Sequence, residues 1–308
     1  MEYPLASFCI VAYNEEKYIS KAIEAAFSQD YPNMEIIMSD DGSSDRTYEI
    51  MKEMASNYKG PHKIILNKNI PNLGPRENYN KSLYDLSHGE YIFIADGDDI
   101  SRHDRVSICV ELFEKHPDVM SMSVASKYID EEDKEIPLGE WSKISKGKYS
   151  IYTLADYVSY DFYMFSGDSR VLRRKVIESF PKLQFSYSED TFLFVRSLLL
   201  GNVIYLREPL VYYRQRQNRI MWKSRNTKKT KEDINRFDET SYKQLKADFY
   251  FAVKNNYITP TEMSFVECKI EQLASWLRPK RKTIWWRGVH RLSKYSYTLF
   301  NKILSSLE

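Results

Sequence analysis

Glycine is scarce in this sequence, at ten of 308 residues, and the chain contains neither a GxxxxGK(S/T) loop nor a GxGxxG fingerprint. Both motifs rely on glycines that let backbone N–H groups approach phosphate closely. Their absence argues against the classical P-loop and dinucleotide-binding classes. Any phosphate group would instead be held by a metal ion and by side chains.

Cysteine is also rare. Cys9, Cys109 and Cys268 lie far apart in apolar or helical surroundings and form no CxxC pair, which argues against a zinc site and a disulfide framework. A reducing compartment fits this pattern. The N-terminus lacks the features of a signal peptide, and no window reaches the roughly 18 apolar residues of a membrane-spanning helix. We therefore expect a cytoplasmic protein that is not addressed for export.

Positive and negative charge nearly cancel over the whole chain, for a net charge of +2, but the positive charge is concentrated in two stretches. Residues 276–308 carry eight Lys or Arg against one acid, so this stretch has a net charge of +7 and residues 1–275 have −5. Residues 212–231 contain eight further basic residues and no acid. We expect anionic ligands at these two stretches.

Strands and helices alternate in the first 120 residues. The predicted strands are SFCIVAY (7–13), MEIIMS (34–39), HKIILN (62–67) and EYIFIA (90–95), and stretches with apolar residues at helical spacing separate them. Such alternation implies right-handed crossovers and a parallel sheet, and continuous apolar runs indicate strands covered on both faces. We therefore predict an α/β fold with a doubly wound, Rossmann-like, mostly parallel sheet, whose ligands bind beyond the carboxyl ends of the strands.

The pattern changes along the chain. After residue 120 it becomes a mixture of strands and helices, and from about residue 232 it is helical without strands. We expect a first domain over residues 1–220 and a helical C-terminal appendage over 221–308.

The end of the second predicted strand, SDDGSSDRT (39–47), superficially resembles a calcium-binding loop. It has Arg46 where such a loop needs glycine, and it has no glutamate at the twelfth position, so it is not one. The two serines and Asp45 are ordinary turn and N-cap residues on one interpretation. On the other, Asp40 or Asp41 serves a ligand at the end of a buried strand.

The fourth predicted strand ends in ADGDD (95–99), where three carboxylates follow one another closely. Asp96, Asp98 and Asp99 repel one another unless a cation or several donors compensate. A divalent metal such as Mg²⁺ or Mn²⁺, which takes oxygen ligands and often binds nucleotide phosphates, is the favoured interpretation. A solvated turn is the alternative.

Two further stretches contain charged residues of the types that act in catalysis or ligand binding. In YSEDTFLFVRSLLLG (187–201), Glu189 and Asp190 open an apolar helix, and the residues alone favour a capping role over that of a general base. The stretch YYRQRQNR (212–219) is either a solvated edge strand that runs into a mobile loop or a segment whose Arg214, Arg216 and Arg219 close over a diphosphate.

Several stretches, in order along the chain, together resemble the family 2 glycosyltransferases of the GT-A fold, inverting enzymes of the kind that build bacterial surface glycans. They are IVAYNEEKYISKAIEAAFSQDYPNMEIIMSDDGSSDRT, NIPNLGPRENYNKSL, GEYIFIADGDDI, SED and PLVYYRQR. The similarity covers about residues 5–220. It implies transfer of a sugar from a nucleotide donor, usually UDP-linked, to an acceptor hydroxyl with inversion at the anomeric carbon.

The resemblance also implies roles for single residues. Asp190 would be the catalytic base, with Glu189 on the acceptor side, and Asp98 and Asp99 would bind Mn²⁺ or Mg²⁺. The implied donor-binding residues are Val11, Tyr13, Asp41, Arg76, Asp96, Asp98, Arg214 and Arg216. Of these, Asp41 would accept a hydrogen bond from the uracil imide.

The basic C-terminal stretch, 276–308, has apolar residues at helical spacing, which predicts an amphipathic helix. It either packs on its own domain or lies on an anionic membrane, which would bring a peripheral enzyme to a lipid-linked glycan acceptor. Nucleic acid is not an expected partner, because no recognition module is present.

Two other functions compete with glycosyl transfer. One is nucleotide-sugar binding by a non-catalytic subunit. The other is nucleotidyl transfer on a related sheet, against which the absence of a glycine-rich, basic phosphate loop near the N-terminus argues.

Overall fold

The structure is a computed structural model of the chain. It describes residues 3–137, 147–159, 169–184, 189–216, 231–259, Glu262, Met263 and Val266. Within these ranges it describes only the backbone at 158–159, 189–190, 231–239 and 241–242. The basic stretch 276–308, Cys268 and residues 217–230 lie outside the described residues.

Ten strands in the described part of the chain form one sheet. They are β1 (Ala6–Ala12), β2 (Met34–Asp40), β3 (Lys63–Lys68), β4 (Tyr91–Asp96), β5 (Ile100–Ser101), β6 (Val119–Ile129), β7 (Glu135–Ile136), β8 (Tyr149–Tyr152), β9 (Arg170–Arg173) and β10 (Asn202–Arg214). The order across the sheet is β3-β2-β1-β4-β9-β6-β10-β5, with β7 beside β6 and β8 beside β10. The long pairings, β1 with β2 and β4, β2 with β3, and β6 with β10, are parallel. The shorter pairings of β9, β5, β7 and β8 are antiparallel.

The described helices cover both faces of this sheet. They are α1 (Ile19–Phe27), α2 (Thr47–Asn57), α3 (Pro75–Asn80), α4 (Arg105–Lys115), α5 (Leu154–Ser159), α6 (Arg174–Glu178), α7 (Glu189–Leu200) and α8 (Lys231–Lys254), and α3 continues into a π-helical turn, Lys81–Leu86. The doubly wound, mostly parallel α/β sheet predicted from the sequence is confirmed. The helical pattern over 75–87 is realised as α3 and the π-helical turn.

Strand residues alternate between two cores. Phe8, Ile10 and Ala12 of β1 pack with α1, α2 and α4, whereas Cys9 and Val11 of the same strand pack with α3, α6 and α7. The β1 strand is buried at all seven positions, so it has no polar face and shows no alternation in its sequence. A third cluster joins α7 to α8 beside β10.

The strand β10 lies inside the sheet and is not a solvated edge. It pairs with β6 along most of its length and with β5 and β8 on its other side. Arg214, its last residue, is therefore buried. Among the described helices, none is both long and apolar enough to cross a membrane.

Candidate functional site

The carboxyl ends of β1, β2 and β4 lie side by side because the three strands are parallel and in register. Val11 pairs with Asp96, and Ala12 pairs with Asp40. The segment after β4 stays bound to the end of β1, since Gly97 donates its N–H to the carbonyl oxygen of Val11 at 2.9 Å. A Cβ on Gly97 would lie 2.7 Å from the Cβ of Ala12, which explains the glycine between the carboxylates.

Asp96, Asp98 and Asp99 form a carboxylate cluster at this edge. One ligand oxygen from each residue lies within 4.8 Å of those of the other two, and Asp98 and Asp99 are buried. This spread is close to the separation of about 4 Å between opposite oxygens around one Mg²⁺, and carboxylates are the hard ligands that Mg²⁺ and Mn²⁺ prefer. The cluster therefore fits a divalent metal. Asp96 is oriented by the hydroxyl of Tyr79, which donates to its Oδ1 at 2.6 Å.

Arg214 holds the cluster from the side of β10. Its backbone N–H donates to Asp99 Oδ1 at 2.8 Å, and its Nε donates to the carbonyl oxygen of Asp98 at 2.8 Å. The same guanidinium reaches the turn between β6 and β7, where Nη1 donates to the carbonyl oxygen of Asp130 at 2.7 Å and Nη2 lies 2.6 Å from Asp133 Oδ1. One buried side chain thus joins the carboxylate cluster to the β6–β7 hairpin.

Arg216 contacts the cluster directly. Its Nη2 lies 2.6 Å from Asp98 Oδ2 and also pairs with Oε2 of Glu15, which follows β1. The guanidinium groups of Arg216 and Arg214 both lie over the ring of Tyr18, at 4.7 and 4.4 Å from its centroid. The side chain of Arg216 is 18% exposed, whereas that of Arg214 is fully buried.

The two arginines differ in their electrostatic surroundings. Burial lowers the pKa of Arg214 below its usual value, and the nearby Tyr18 and Asp98 only partly offset this. Burial also acts to lower the pKa of Arg216, but Asp98 and Glu15 outweigh it and raise the pKa. Arginine stays protonated in proteins, so two cations lie near the Asp98 carboxylate, and the charge of Arg214 also acts on Asp99.

Asp41 holds the loop between β3 and α3. Its Oδ1 accepts hydrogen bonds from the backbone N–H of Leu73 at 3.0 Å and from Asn69 Nδ2 at 2.9 Å, and its Oδ2 accepts one from the N–H of Gly74 at 2.9 Å. The carboxylate is almost completely buried. The loop also contacts Gly42, whose φ of 71° and proximity to the carbonyl oxygen of Asn69 leave no room for a side chain.

The other residues implied on the donor side lie around this edge. Tyr13 follows β1 and is 49% exposed, and Val11, within the strand, is buried. Arg76, in α3, pairs with Glu77, and its Nη1 donates to the carbonyl oxygen of Gln184 at 2.7 Å. The structure thus places Val11 and Tyr13 at the end of β1, and it directs Arg76 towards the segment that precedes α7.

Glu189 and Asp190 open α7, as the sequence predicts. Their side chains, and the whole of Ser188, lie outside the described residues. The catalytic role of Asp190 and the acceptor-side role of Glu189 therefore stay predictions.

The serines and Asp45 after β2 serve the turn. Ser43 donates its N–H to Asp40 Oδ2 at 3.0 Å, and Asp45 accepts from the N–H of Thr47 at 2.9 Å at the start of α2. Asp45 also accepts from the N–H of Glu16 at 3.1 Å, which joins the turn to the segment after β1. The turn interpretation fits Ser43 and Asp45, whereas the N-cap residue of α2 is Arg46, which makes no side-chain capping hydrogen bond.

A family model supplies the decisive comparison. The model described as glycosyl transferase family 2 matches residues 7–180, more than half of the chain, and spans the ends of β1, β2 and β4. The chain belongs to glycosyl transferase family 2.

Curated relatives of this family 2 glycosyltransferase match over part of their length. The chain is 38% identical over 115 residues to the putative glycosyltransferase EpsE of Bacillus subtilis, which covers 37% of this chain and 40% of EpsE. It is 33% identical over 117 residues to the abequosyltransferase RfbV of Salmonella typhimurium, covering 37% and 34% of the two chains. The chain thus spans less than half the length of these relatives.

Solved structures show the same fold as this family 2 glycosyltransferase. The structure of Staphylococcus aureus TarS in complex with UDP has a TM-score of 0.58 at 18% identity, covering 78% of this chain and 65% of TarS. The mannosyltransferase PcManGT of Pyrobaculum calidifontis, in complex with GDP-Man and Mn²⁺, has a TM-score of 0.55 at 16% identity, covering 88% and 70%. The predicted GT-A fold is confirmed.

Four residues of the site of this glycosyltransferase are absent from the sequence-based prediction: Glu15, Tyr18, Tyr79 and Asp133. Glu15 could have been predicted from the sequence as a site residue, because it belongs to the AYNE stretch at the end of a predicted strand. Tyr79 has the helical spacing of a core residue, and Asp133 lies in a polar turn, so neither differs locally from an ordinary structural residue.

Proposed function

We propose that this chain is an inverting, metal-dependent glycosyltransferase that moves a sugar from a UDP-sugar to an acceptor hydroxyl on a growing or lipid-linked surface glycan. The observation that carries the proposal is the cluster of Asp96, Asp98 and Asp99 at the edge of a GT-A sheet, where the Arg216 guanidinium contacts the Asp98 carboxylate and that of Arg214 bonds the Asp98 carbonyl oxygen. The names of the relatives support it, since RfbV is an abequosyltransferase and TarS is solved with UDP and with UDP-GlcNAc.

The donor would lie across the ends of β1, β2 and β4. Exposed Tyr13 offers a ring against which a nucleobase can stack, with Val11 beneath and Asp41 as the acceptor for the imide N–H. Asp96 would face the ribose and diphosphate, and Arg76 would approach the donor from α3. Asp98 and Asp99 would hold Mn²⁺ or Mg²⁺, which supplies a Lewis acid for the diphosphate.

Departure of the nucleoside diphosphate places negative charge on its β-phosphate. Arg216 is the cation suited to stabilise this charge, because its guanidinium lies at the cluster and is partly exposed. Arg214 is buried and holds Asp98, Asp99 and the β6–β7 hairpin in place, so we assign it the support of the donor site.

The acceptor would be activated from α7. Asp190 would take the proton of the attacking hydroxyl at a carboxylate oxygen while the hydroxyl oxygen attacks the anomeric carbon from the face opposite the diphosphate. Glu189 would contact the acceptor. A single displacement of this kind inverts the anomeric centre and needs no covalent intermediate on the enzyme.

The proposal is tested by UDP release from a panel of UDP-sugars with Mn²⁺ and candidate acceptors. Asp190→Asn should lower turnover by about 10²- to 10⁴-fold, the usual contribution of a general base, and leave UDP binding unchanged. Asp99→Ala should lose both turnover and Mn²⁺-dependent UDP binding. Glu111→Gln is the matched control, because Glu111 is an exposed carboxylate on α4 whose partner is Lys115.

Three outcomes would contradict the proposal. Full turnover of Asp190→Asn removes that residue as the base. Tight UDP binding without turnover across the panel indicates a non-catalytic nucleotide-sugar-binding subunit. Release of pyrophosphate instead of UDP indicates a nucleotidyltransferase.

We also propose that the basic stretch 276–308 binds an anionic membrane surface, where a lipid-linked acceptor would be found. The full chain should sediment with vesicles that contain anionic lipid, and the sedimented fraction should fall as salt screens the attraction. Binding that is equal on neutral and anionic vesicles would contradict an electrostatic membrane contact.

A further inference from the structure

The ion pairs of Arg216 join three separate parts of the chain. The same nitrogen, Nη2, lies 2.6 Å from Asp98 Oδ2 after β4 and pairs with Oε2 of Glu15 after β1, although 201 residues separate Glu15 from Arg216. The carboxylates of Glu15 and Asp98 are 5% and 6% exposed. Two nearly buried anions therefore share one partly exposed cation.

Glu15 is held in place independently of Arg216. Its N–H donates to Oγ1 of Thr47 at 2.7 Å, and its carbonyl oxygen accepts from the N–H groups of Tyr18 and Ile19, both at 2.9 Å. These bonds fix the backbone of Glu15, so its side chain starts from the same point beside Arg216 whichever other partner Arg216 has. The ring of Tyr18 gives the guanidinium a second fixed contact.

The Asp98 carboxylate cannot bind the Arg216 guanidinium and a divalent metal at the same time without repulsion between the two cations. A metal ion on the Asp98 carboxylate would lie within a few ångström of the guanidinium, and like charges at that distance repel strongly in a partly buried site. The five N–H donors of a guanidinium suit the oxygens of a diphosphate, to which Arg216 can turn while Glu15 retains it.

From these contacts we infer that Arg216 and the divalent metal compete for Asp98, and that Glu15 retains Arg216 so that it passes from Asp98 to the diphosphate. This inference rests on the proposed function, because it requires a metal and a diphosphate at the cluster. It makes Arg216 a coupling residue between metal and donor, and it makes Glu15 a positioning residue that acts through Arg216.

The test measures binding rather than turnover. Mn²⁺ affinity is determined from the electron paramagnetic resonance signal of free Mn²⁺, with and without UDP, for the full chain and its variants. The ratio of the two affinities is the coupling factor, and by linkage it equals the factor by which Mn²⁺ raises UDP affinity.

Arg216→Gln should bind Mn²⁺ more tightly without UDP, by tenfold or more, and its coupling factor should fall at least fivefold below that of the wild type. An Arg216 that acted only through its charge would change each affinity but leave the coupling factor unchanged. Lys17→Gln is the control, because Lys17 is an exposed cation that pairs with Glu131 and also lies beside the ring of Tyr18.

For Glu15→Gln, the inference and a simple charge effect predict opposite changes in UDP affinity. Removal of a negative charge near a diphosphate should strengthen UDP binding if charge alone matters. The inference predicts instead that UDP binds at least fivefold more weakly at saturating Mn²⁺, because Arg216 loses the partner that retains it. The melting temperature of each variant without ligands shows whether the fold is intact.

A coupling factor for Arg216→Gln within twofold of the wild type overturns the inference and leaves the proposed function standing. Stronger UDP binding by Glu15→Gln overturns the role of Glu15 as the retaining partner. Wild-type protein in which Mn²⁺ has no effect on UDP binding contradicts both the inference and the metal dependence proposed above.

Discussion

Arg196 of α7 and Asp248 of α8 form a buried ion pair with two contacts. Arg196 Nε donates to Asp248 Oδ2 at 2.9 Å and Nη2 donates to Oδ1 at 2.6 Å, and neither side chain is more than 2% exposed. The remaining donor, Nη1, bonds the hydroxyl of Tyr84 at 2.7 Å and the carbonyl oxygen of Pro181 at 2.8 Å. The pair joins α7, whose second residue is the proposed base Asp190, to α8, which begins at the end of the basic residues 212–231.

Asp248→Asn should destabilise the protein strongly, because it leaves the buried Arg196 without a compensating charge. Breaking such a pair costs about 3–5 kcal/mol. The free energy of unfolding, measured by denaturant titration, gives the cost. The double variant Arg196→Met, Asp248→Leu should recover most of it, and a double variant as unstable as the single one would contradict this account.

Tyr79→Phe should weaken UDP binding at saturating Mn²⁺ by about tenfold, because Asp96, which would face the ribose and diphosphate, loses the hydrogen bond that orients it. A hydrogen bond to a charged group contributes about 1.5–3 kcal/mol. Tyr84→Phe is the matched control, because its hydroxyl bonds Arg196 instead of the carboxylate cluster. Equal UDP affinities in wild type and Tyr79→Phe would show that Asp96 needs no such support.

Asp41→Asn should destabilise the loop between β3 and α3 even without a nucleotide. The NH₂ group of asparagine replaces one carboxylate oxygen and cannot accept, so the N–H of Leu73 or that of Gly74 loses its acceptor, depending on which oxygen is replaced. An unsatisfied buried donor costs about 1–3 kcal/mol. Hydrogen exchange of the backbone amide that loses its acceptor should accelerate. Unchanged protection together with weaker UDP binding would instead give Asp41 a purely ligand-binding role.

Gly97→Ala should disturb the carboxylate cluster, because the new Cβ would lie 2.7 Å from that of Ala12. The segment after β4 must then move away from β1, which shifts Asp96 and Asp98 relative to each other. We expect weaker Mn²⁺ binding and a lower melting temperature. The variant would contradict this expectation if it bound Mn²⁺ as the wild type does.

Removal of the metal should abolish UDP release from the donor. EDTA should bring turnover to the background level, and Mn²⁺ or Mg²⁺ added in excess should restore it, because the cluster offers hard carboxylate ligands. Full turnover in EDTA would show that the arginines stabilise the leaving group without a metal.

Much of the fold follows from local sequence patterns. A strand buried on both faces reads as an unbroken apolar run, and a helix on one face repeats its apolar residues every three or four positions, so β1 to β4 and their helices were predictable. The carboxylates were predictable for the same reason, since parallel strands bring their carboxyl ends to one edge. No comparable local rule places β10 beside β6, or β9 between β4 and β6.

The pairing of charges depends on contacts between residues far apart in the chain. The motif ADGDD predicts that Asp98 is a metal ligand. Nothing near Asp98 in the sequence predicts that Arg216 will pair with it and with Glu15. Those contacts exist because β1, β4 and β10 end at the same edge, and strand order is set by packing of whole elements. The sequence by itself therefore determines which residue types stand at the strand ends. Which charged side chains become partners is decided only by the tertiary structure, because strand order depends on the packing of whole elements.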